Sequence, residues 1–315
     1  MKMRNTSIRT EGESMASKDF RVTLLGTGVP HPDPHRGGSS TLVQAGGQRL
    51  IFDCGRRTLL RLSETATAIK EANKLFLTHL HSDHTVGIPD LWLTPWIFGR
   101  WTEPFYVWGP PGTKRMMRKL EEAFEFDLAI RPVHDLLPVE GAGIAAQDVA
   151  EGVVFEKEGV KVTAFEVDHR PIQPSYGYRI DFEGRSVVLS GDTRFSENLI
   201  RHAMGADLLV HNVGAARPED LQVSERYRRI MALHIPPEEA GELFTRVSPK
   251  LAVYTHMVLF KIGTEEIIER TRTTYAGPLE IGEDLMAFDI GDAIRVIRPP
   301  DRSSHPPGPE IIPDL

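Results

Sequence analysis

"LTHLHSDHTVG" (residues 77–87) places His79, His81, Asp83 and His84 within six positions, directly after an apolar run with the character of a β-strand. Where a strand ends in a polar loop, side chains two and four positions apart can turn into one cavity while the sheet holds them rigid. Imidazole and carboxylate are ligands that zinc accepts without thiolate. The stretch therefore predicts a metal-binding site.

Strand-like runs and helical patterns alternate along the rest of the chain. Several runs are continuously apolar, which indicates strands covered on both faces. The strand-like runs are 21–26, 40–45, 49–55, 74–79, 104–109, 160–167, 176–182, 185–191, 206–212, 250–256 and 285–290. The helical patterns are 113–126, 196–205, 236–247 and 263–275, with Ser196 suited to an N-cap. Sheets flanked by helices predict an α/β sandwich.

Composition indicates a globular protein. Its 315 residues are 40% hydrophobic, and the single cysteine, Cys54, excludes both an intramolecular disulfide and a four-cysteine zinc site. We expect a flexible segment at 1–19, one domain over 20–297 and a Pro-rich tail at 298–315. Residues 1–19 lack the apolar core of a signal peptide, and no run approaches the roughly 20 apolar residues of a membrane span. These features predict a cytoplasmic protein without a membrane partner.

The formal charge of −7 argues against a polyanionic partner such as nucleic acid. Two basic clusters, 113–119 and 225–229, lie among good helix formers. We interpret both as solvated helix faces.

Further ligand-type residues follow other apolar runs. His169 lies in "EVDHRP", Asp192 in "LSGDTRF" and His256 in "VYTHMV". Because the ends of such strands meet at one rim of an α/β sheet, we expect these side chains to converge on the first cluster.

These segments carry a resemblance to a known family. "THLHSDH" (78–84) resembles the His-x-His-x-Asp-His signature of the metallo-β-lactamase superfamily, and the later His, Asp and His follow in the same order. "LGTGVP", "FDCG", "WGPPG", "GYRI" and "VLSGDTR" are similar to the ribonuclease Z-like branch. The match runs from about residue 21 to residue 290. It implies a four-layer αβ/βα sandwich.

The resemblance also implies a binuclear centre with two zinc ions per chain, although manganese or iron suits similar ligands. In such a centre a metal-bound hydroxide is the nucleophile. One metal would be held by His79, His81 and His169, a second by Asp83, His84 and His256, with Asp192 as the bridge.

Four further roles follow from the same resemblance. Asp53 in "FDCG" would support a ligand imidazole from behind. His234, in "ALHIPPEEAG", would stabilise the developing oxyanion or protonate the leaving group. Asp83 and His211 complete the expected catalytic residues.

Two departures bear on the substrate. Ribonuclease Z cuts the 3′ trailer from precursor tRNA, and its bacterial forms bind the tRNA with an arm inserted after the "GYR" strand. In this sequence, "GYRIDFEGRSVVLSGDTR" (177–194) runs directly from that strand to the next and leaves no room for such an arm. The family's His-Glu-Ala-Thr segment is replaced by "HNVG" (211–214), with Asn212 in place of the glutamate. With the acidic charge, these departures argue against tRNA processing, and "HIPPEEAGELFTRVSPKLAVYTHMV" (234–258) resembles the arylsulfatase-like group of this branch. The resemblance implies an arylsulfatase-like enzyme that hydrolyses a small aromatic ester, with nucleic acid an unlikely partner.

Alternatives stay open at this level. A ribonuclease Z-type tRNA endonuclease is one, and a hydrolase of a β-lactam, lactone or aryl halide is another. A non-catalytic metal-binding protein fits least, because seven ligand-type residues exceed the four of a closed structural site. Trp92, Trp96 and Trp101 either rim the cleft or lie in the core or a homodimer interface, and a homodimer is expected. His31 and His35 are candidates for substrate contact.

Overall fold

The computed structural model describes residues 20–222 and 224–299. The predicted flexible segment and all but the first two residues of the predicted tail lie outside this range. The strands are β1 (Arg21–Gly26), β2 (Ser40–Ala45), β3 (Gln48–Phe52), β4 (Lys74–Phe76), β5 (Phe105–Gly109), β6 (Ile144–Asp148), β7 (Gly152–Lys157), β8 (Val160–Val167), β9 (Ser175–Phe182), β10 (Arg185–Leu189), β11 (Leu208–Ala216), β12 (Leu251–Phe260), β13 (Leu279–Ile281), β14 (Ala287–Ile290) and β15 (Ile294–Ile297). The helices are α1 (Thr58–Ser63), α2 (Ile88–Gly99), α3 (Thr113–Ala123), α4 (Glu125–His134), α5 (Glu197–Ala203), α6 (Pro218–Gln222), α7 (Glu225–Met231), α8 (Pro237–Val247) and α9 (Thr264–Arg272).

The strands form two mixed sheets. The first has the order β15-β14-β1-β2-β3-β4-β5-β6, and the second has the order β13-β12-β11-β10-β9-β8-β7. Parallel pairing joins β3 to β4 and β4 to β5 in the first sheet, and β10 to β11 and β11 to β12 in the second. The carboxyl ends of these parallel strands supply most of the site described below.

Three apolar clusters define the layers. The middle one lies between the sheets and includes stacked rings, with Phe76 centred 5.0 Å from Phe52 and 4.7 Å from Trp108. A second cluster packs α1, α2 and α3 on the outer face of the first sheet, and a third packs α5, α8 and α9 on the outer face of the second. Each sheet is thus buried on both faces, and the predicted αβ/βα sandwich is confirmed.

Local geometry explains where several elements begin and end. Ser196 accepts a hydrogen bond from the Leu199 amide at 3.2 Å, as predicted for an N-cap. The predicted helix 113–126 is instead two helices, because Phe124 leaves helical geometry with φ −103° and ψ 13°. β3 ends at Phe52, because Asp53 adopts a left-handed φ of 59°.

The segment that carries Trp92 and Trp96 forms α2, and Trp101 follows it; apolar residues lie on most sides of this helix, so the sequence showed no helical periodicity. Trp92, Trp96 and Trp101 are buried, and their indole nitrogens donate to the carbonyl oxygens of Ala142, Pro138 and Lys70 respectively. These rings are therefore core, and the reading that placed them around the cleft is wrong.

Among the described residues, no helix has both the length and the apolar character needed to cross a bilayer. The basic clusters lie on α3 and α7 with most of their cationic side chains exposed, as predicted. The homodimer stays a prediction.

Candidate metal centre

The predicted ligands lie where strands end. His79 comes three residues after β4, His169 two residues after β8, and Asp192 three residues after β10. Ser82, Asp83 and His84 form one turn of 3-10 helix. The sheets therefore bring together at one edge residues that are far apart in sequence.

His256 reaches the site through an irregularity in β12. Asn212 pairs with Thr255 and Val213 pairs with Met257, so His256 is an extra residue on its strand. Its φ of 42° is left-handed, which is uncommon for a residue with a side chain. A bulge of this kind redirects a side chain, here towards Asp83, whose Oδ2 lies 3.1 Å from His256 Nε2.

Both predicted ligand sets occur as clusters. One contains His79, His81 and His169, and the other contains Asp83, His84 and His256, with the ligand atoms of each cluster within 4.8 Å of one another. Asp192 forms a similar cluster with His79 and His84, so it joins members of the two sets. Its Oδ2 lies 3.5 Å from the Nε2 atoms of His84 and His256.

Unpaired polar atoms in the centre fit divalent cations. His84 Nε2, His169 Nε2 and Asp192 Oδ1 are buried without a hydrogen-bond partner. Buried polar atoms are normally paired, so each of these atoms needs a ligand that the protein itself does not supply. His169 Nδ1 donates to the carbonyl oxygen of Leu233 at 3.1 Å, which leaves Nε2 as the nitrogen available to a metal.

Asp53 lies behind the ligands, as predicted. Its Oδ2 accepts from His84 Nδ1 at 2.7 Å, and its Oδ1 accepts from the Thr78 amide at 2.8 Å. The Thr78 hydroxyl donates to the same carboxylate, at 2.8 Å from Oδ2, and lies 3.0 Å from His79 Nδ1. Asp53 and Thr78 thus orient two imidazoles with Nε2 directed into the centre. The sequence contained no signal for Thr78.

Electrostatics couple the acids and histidines. Burial opposes a positive charge on His84, but Asp53 and Asp192 outweigh it and raise the pKa of His84 well above its usual value. Burial alone would raise the pKa of Asp192, whereas His256 and His84 hold it well below the usual range. The centre therefore keeps Asp192 ionised, the form that binds a cation.

His234 lies beside the ligands, with its ring centred 5.6 Å from that of His256 and 5.8 Å from that of His169. Asn212 Nδ2 lies 3.0 Å from His234 Nδ1 and donates to the Thr193 carbonyl at 3.1 Å. The Thr193 contact fixes the amide orientation, so Nδ1 of His234 is an acceptor and its proton is on Nε2. Burial lowers the pKa of His234 to about 4.

His211 is not part of this constellation. Its Nδ1 donates to the Asn212 carbonyl at 2.7 Å, and its ring packs at 5.7 Å against Phe244 of α8. Alternation along β11 explains the difference, because neighbouring residues of a strand point to opposite faces. His211 faces the outer helical layer, while Asn212 faces His234.

A cavity of about 440 Å³ adjoins the centre. Its wall includes Met257, which follows the predicted ligand His256, and His31 of the loop after β1. His35 is exposed and does not line it.

Comparison with known proteins agrees with this geometry. A family model described as "Beta-lactamase superfamily domain" matches residues 48–257. The ribonuclease Z of Mycolicibacterium gilvum (strain PYR-GCK) is 37% identical over 86% of this chain and 96% of its own length. The ribonuclease Z of Mycobacterium sp. (strain KMS) is 36% identical over 88% of this chain and 98% of its own length.

Solved structures share the fold. A metallo-β-lactamase-fold protein of Bacillus subtilis superposes with a TM-score of 0.68 at 17% identity, covering 85% of this chain and 98% of its own. The short form of human tRNase Z superposes with a TM-score of 0.63 at 24% identity, covering 86% and 99%.

These relatives correct two predictions. The arylsulfatase-like function is wrong, and so is the expectation of a small-molecule substrate with nucleic acid unlikely, because the similar proteins are ribonucleases. The absence of the arm does not separate tRNA-processing enzymes from small-molecule hydrolases. The match to this arm-less chain covers 96% of the Mycolicibacterium ribonuclease Z, which therefore has no room for a long arm either. The prediction from the overall charge was wrong because the net charge of a protein says little about the electrostatic field beside one local site.

The matched family model, the ribonuclease Z relatives and the clustered ligands agree: the chain belongs to the beta-lactamase superfamily, in its ribonuclease Z-like branch, and is a metal-dependent hydrolase.

Proposed function

We propose that this protein is a ribonuclease Z-type endonuclease that removes the 3′ trailer from precursor tRNA. The observation that supports this most directly is the 37% identity to a ribonuclease Z across 86% of the chain. The cavity beside the ligand clusters offers room for substrate next to the reacting bond.

We further propose that the centre holds two zinc ions. His79, His81 and His169 would hold one, Asp83, His84 and His256 would hold the other, and Asp192 would contact both. Bound zinc would supply an acidified water and Lewis-acid stabilisation of the phosphoryl oxygens. Histidine and carboxylate donors without thiolate suit this metal, and Asp53 and Thr78 keep the imidazoles oriented for it.

His234 would act as a hydrogen-bond donor in the reaction. Asn212 occupies Nδ1, so the Nε2 proton is available to an oxygen that gains negative charge as the phosphodiester breaks. Asn212 thereby takes the place of the family's glutamate with a different effect, because an amide donates to the ring whereas a carboxylate would accept from it.

A local cationic surface favours an RNA substrate despite the overall negative charge. Arg226, Arg228 and Arg229 are exposed on α7, the helix whose Tyr227 and Met231 line the cavity. Phosphate contacts supply much of the affinity of nucleic-acid complexes and weaken as salt is added.

Incubation of the metal-analysed enzyme with a precursor tRNA carrying a 3′ trailer tests the proposal. We expect a single cut at the trailer junction, lost with a chelator and restored by zinc, and about two zinc ions per chain before chelation. Intact precursor tRNA, in the presence of zinc-dependent hydrolysis of bis(p-nitrophenyl) phosphate, would contradict the tRNA assignment. One ion per chain in the active enzyme would contradict the binuclear centre.

A further inference from the structure

The cavity beside the metal centre has an apolar wall formed by two separate segments. α7 contributes Tyr227, Ile230 and Met231, and the end of β12 contributes residues 257–260. The rings of Tyr227 and Phe260 are centred 3.5 Å apart and tilted by 32°, so they stack on each other, and a further ring can stack only on an outer face of the pair. Planar heteroaromatic rings bind well on such surfaces.

The aromatic wall is continuous with the reaction centre. Met257 directly follows the ligand His256. On the other segment, a Cβ placed on Gly214 would lie 2.6 Å from His234 Cβ and 3.6 Å from Met231 Sδ, which puts Met231 beside His234. A substrate group bound in the cavity therefore lies close, along the substrate chain, to the bond that the centre would cut.

A polar part of the cavity wall is the loop between β1 and β2, which contributes Thr27, His31, Asp33 and Arg36. Arg36 Nη1 donates to the Thr27 hydroxyl at 2.7 Å and to the Gly282 carbonyl at 2.9 Å. This wall provides charged and polar groups that can meet the polar edge of a ring whose face lies on the aromatic wall.

A buried acid holds this loop in place. Asp284 accepts from the Thr27 amide at 3.0 Å, the Thr27 hydroxyl at 2.9 Å and the Gly37 amide at 2.7 Å. Arg61 Nε balances its charge at 2.8 Å, and both side chains are 3% exposed. The polar wall is thus fixed relative to the sheets before any ligand arrives.

We propose that this cavity binds one unpaired nucleobase, that of a nucleotide adjoining the cleaved phosphodiester. The base stacks on the outer face of the Tyr227–Phe260 pair, and its polar edge faces the loop that carries His31 and Arg36. This inference rests on the proposed ribonuclease function, since it assigns part of that substrate to the cavity.

The test uses an acceptor-stem RNA hairpin with a single-stranded 3′ extension and a methylphosphonate at the cleavage position, which prevents turnover. Matched hairpins lack the base of the nucleotide on one side of that position or the other. Dissociation constants are measured by fluorescence anisotropy with the zinc-loaded wild-type protein, Tyr227→Leu, Phe260→Leu and Tyr227→Phe. Phe126→Leu, on the exposed face of α4, is the matched control.

We expect removal of one of the two bases to weaken wild-type binding by about 5- to 150-fold, the range for one stacked base. Tyr227→Leu or Phe260→Leu should weaken binding of the complete hairpin by a similar factor and add little loss on the abasic hairpin. Tyr227→Phe and Phe126→Leu should behave as wild type. Unfolding midpoints establish that the variants are folded.

The inference is overturned if neither abasic hairpin binds more weakly, or if the leucine variants lose the same factor on complete and abasic hairpins. Cleavage of precursor tRNA by the wild type is scored separately. A protein that leaves the precursor intact yet shows the coupling between base and aromatic wall would refute the proposed function and retain the base-binding cavity.

Discussion

Asp53 and His84 are 31 positions apart in sequence, and Asp53 Oδ2 lies 2.7 Å from His84 Nδ1. Both side chains are buried. The hydrogen bond keeps Nδ1 of His84 protonated, so Nε2 is the nitrogen that can give up its proton and bind a cation in the centre.

Asp53→Asn is expected to lower metal affinity by about 10- to 100-fold, because an amide cannot accept the His84 proton and both Thr78 donors as the carboxylate does. Competition with a chromophoric chelator measures this affinity. Asp181→Asn is the control, since Asp181 pairs with Arg179 on β9 instead of with a metal ligand. Equal affinities in the two variants would remove the supporting role of Asp53.

Asn212→Leu is expected to lower kcat for precursor cleavage by about tenfold or more with little change in KM or metal content, because His234 loses the donor that keeps its proton on Nε2. In Asn212→Asp the carboxylate would accept from Nδ1, so only the doubly protonated ring could donate from Nε2. That variant should recover activity as the pH falls, and the wild type should not. Identical pH profiles would show that the tautomer of His234 has no role.

Arg61→Met is expected to reduce the free energy of unfolding by about 3 kcal/mol, because it leaves the charge of Asp284 buried without its cation. Urea unfolding measures the change. Arg229→Met is the matched control: its partner is Glu225, their side chains are 79% and 66% exposed, and the loss should stay below about 0.5 kcal/mol. Similar losses in the two variants would contradict this account of the pair under the loop.

His211 is expected to make the fold sensitive to acid. Burial lowers the pKa of His211 to about 4, whereas the unfolded chain has the ordinary value of 6.5. Its contribution is therefore complete above pH 6.5 and is lost as the pH falls from 6.5 through 4. Between pH 7.5 and 5, the wild type should lose about 2 kcal/mol more unfolding free energy than His211→Phe. Parallel losses would show that His211 does not carry this dependence.

Local sequence was sufficient to identify the superfamily and to predict most of the candidate metal ligands. His79, His81, Asp83 and His84 are contiguous, so the chemistry of the donor set can be read without knowing the fold. The apolar runs likewise predicted the sandwich, because a strand covered on both faces needs a continuous run of apolar residues.

The tertiary structure decided what depends on contacts between distant segments. Only packing shows that the tryptophans of α2 are core, that Asn212 faces His234 while His211 faces Phe244, and that β12 has a bulge at His256. The cavity is likewise assembled from the β1–β2 loop, α7 and β12, and Asp284 holds that loop from 257 positions away along the chain. A local pattern identifies which atoms can bind a metal, whereas the shape beside the metal, which selects the substrate, exists only when remote segments pack together.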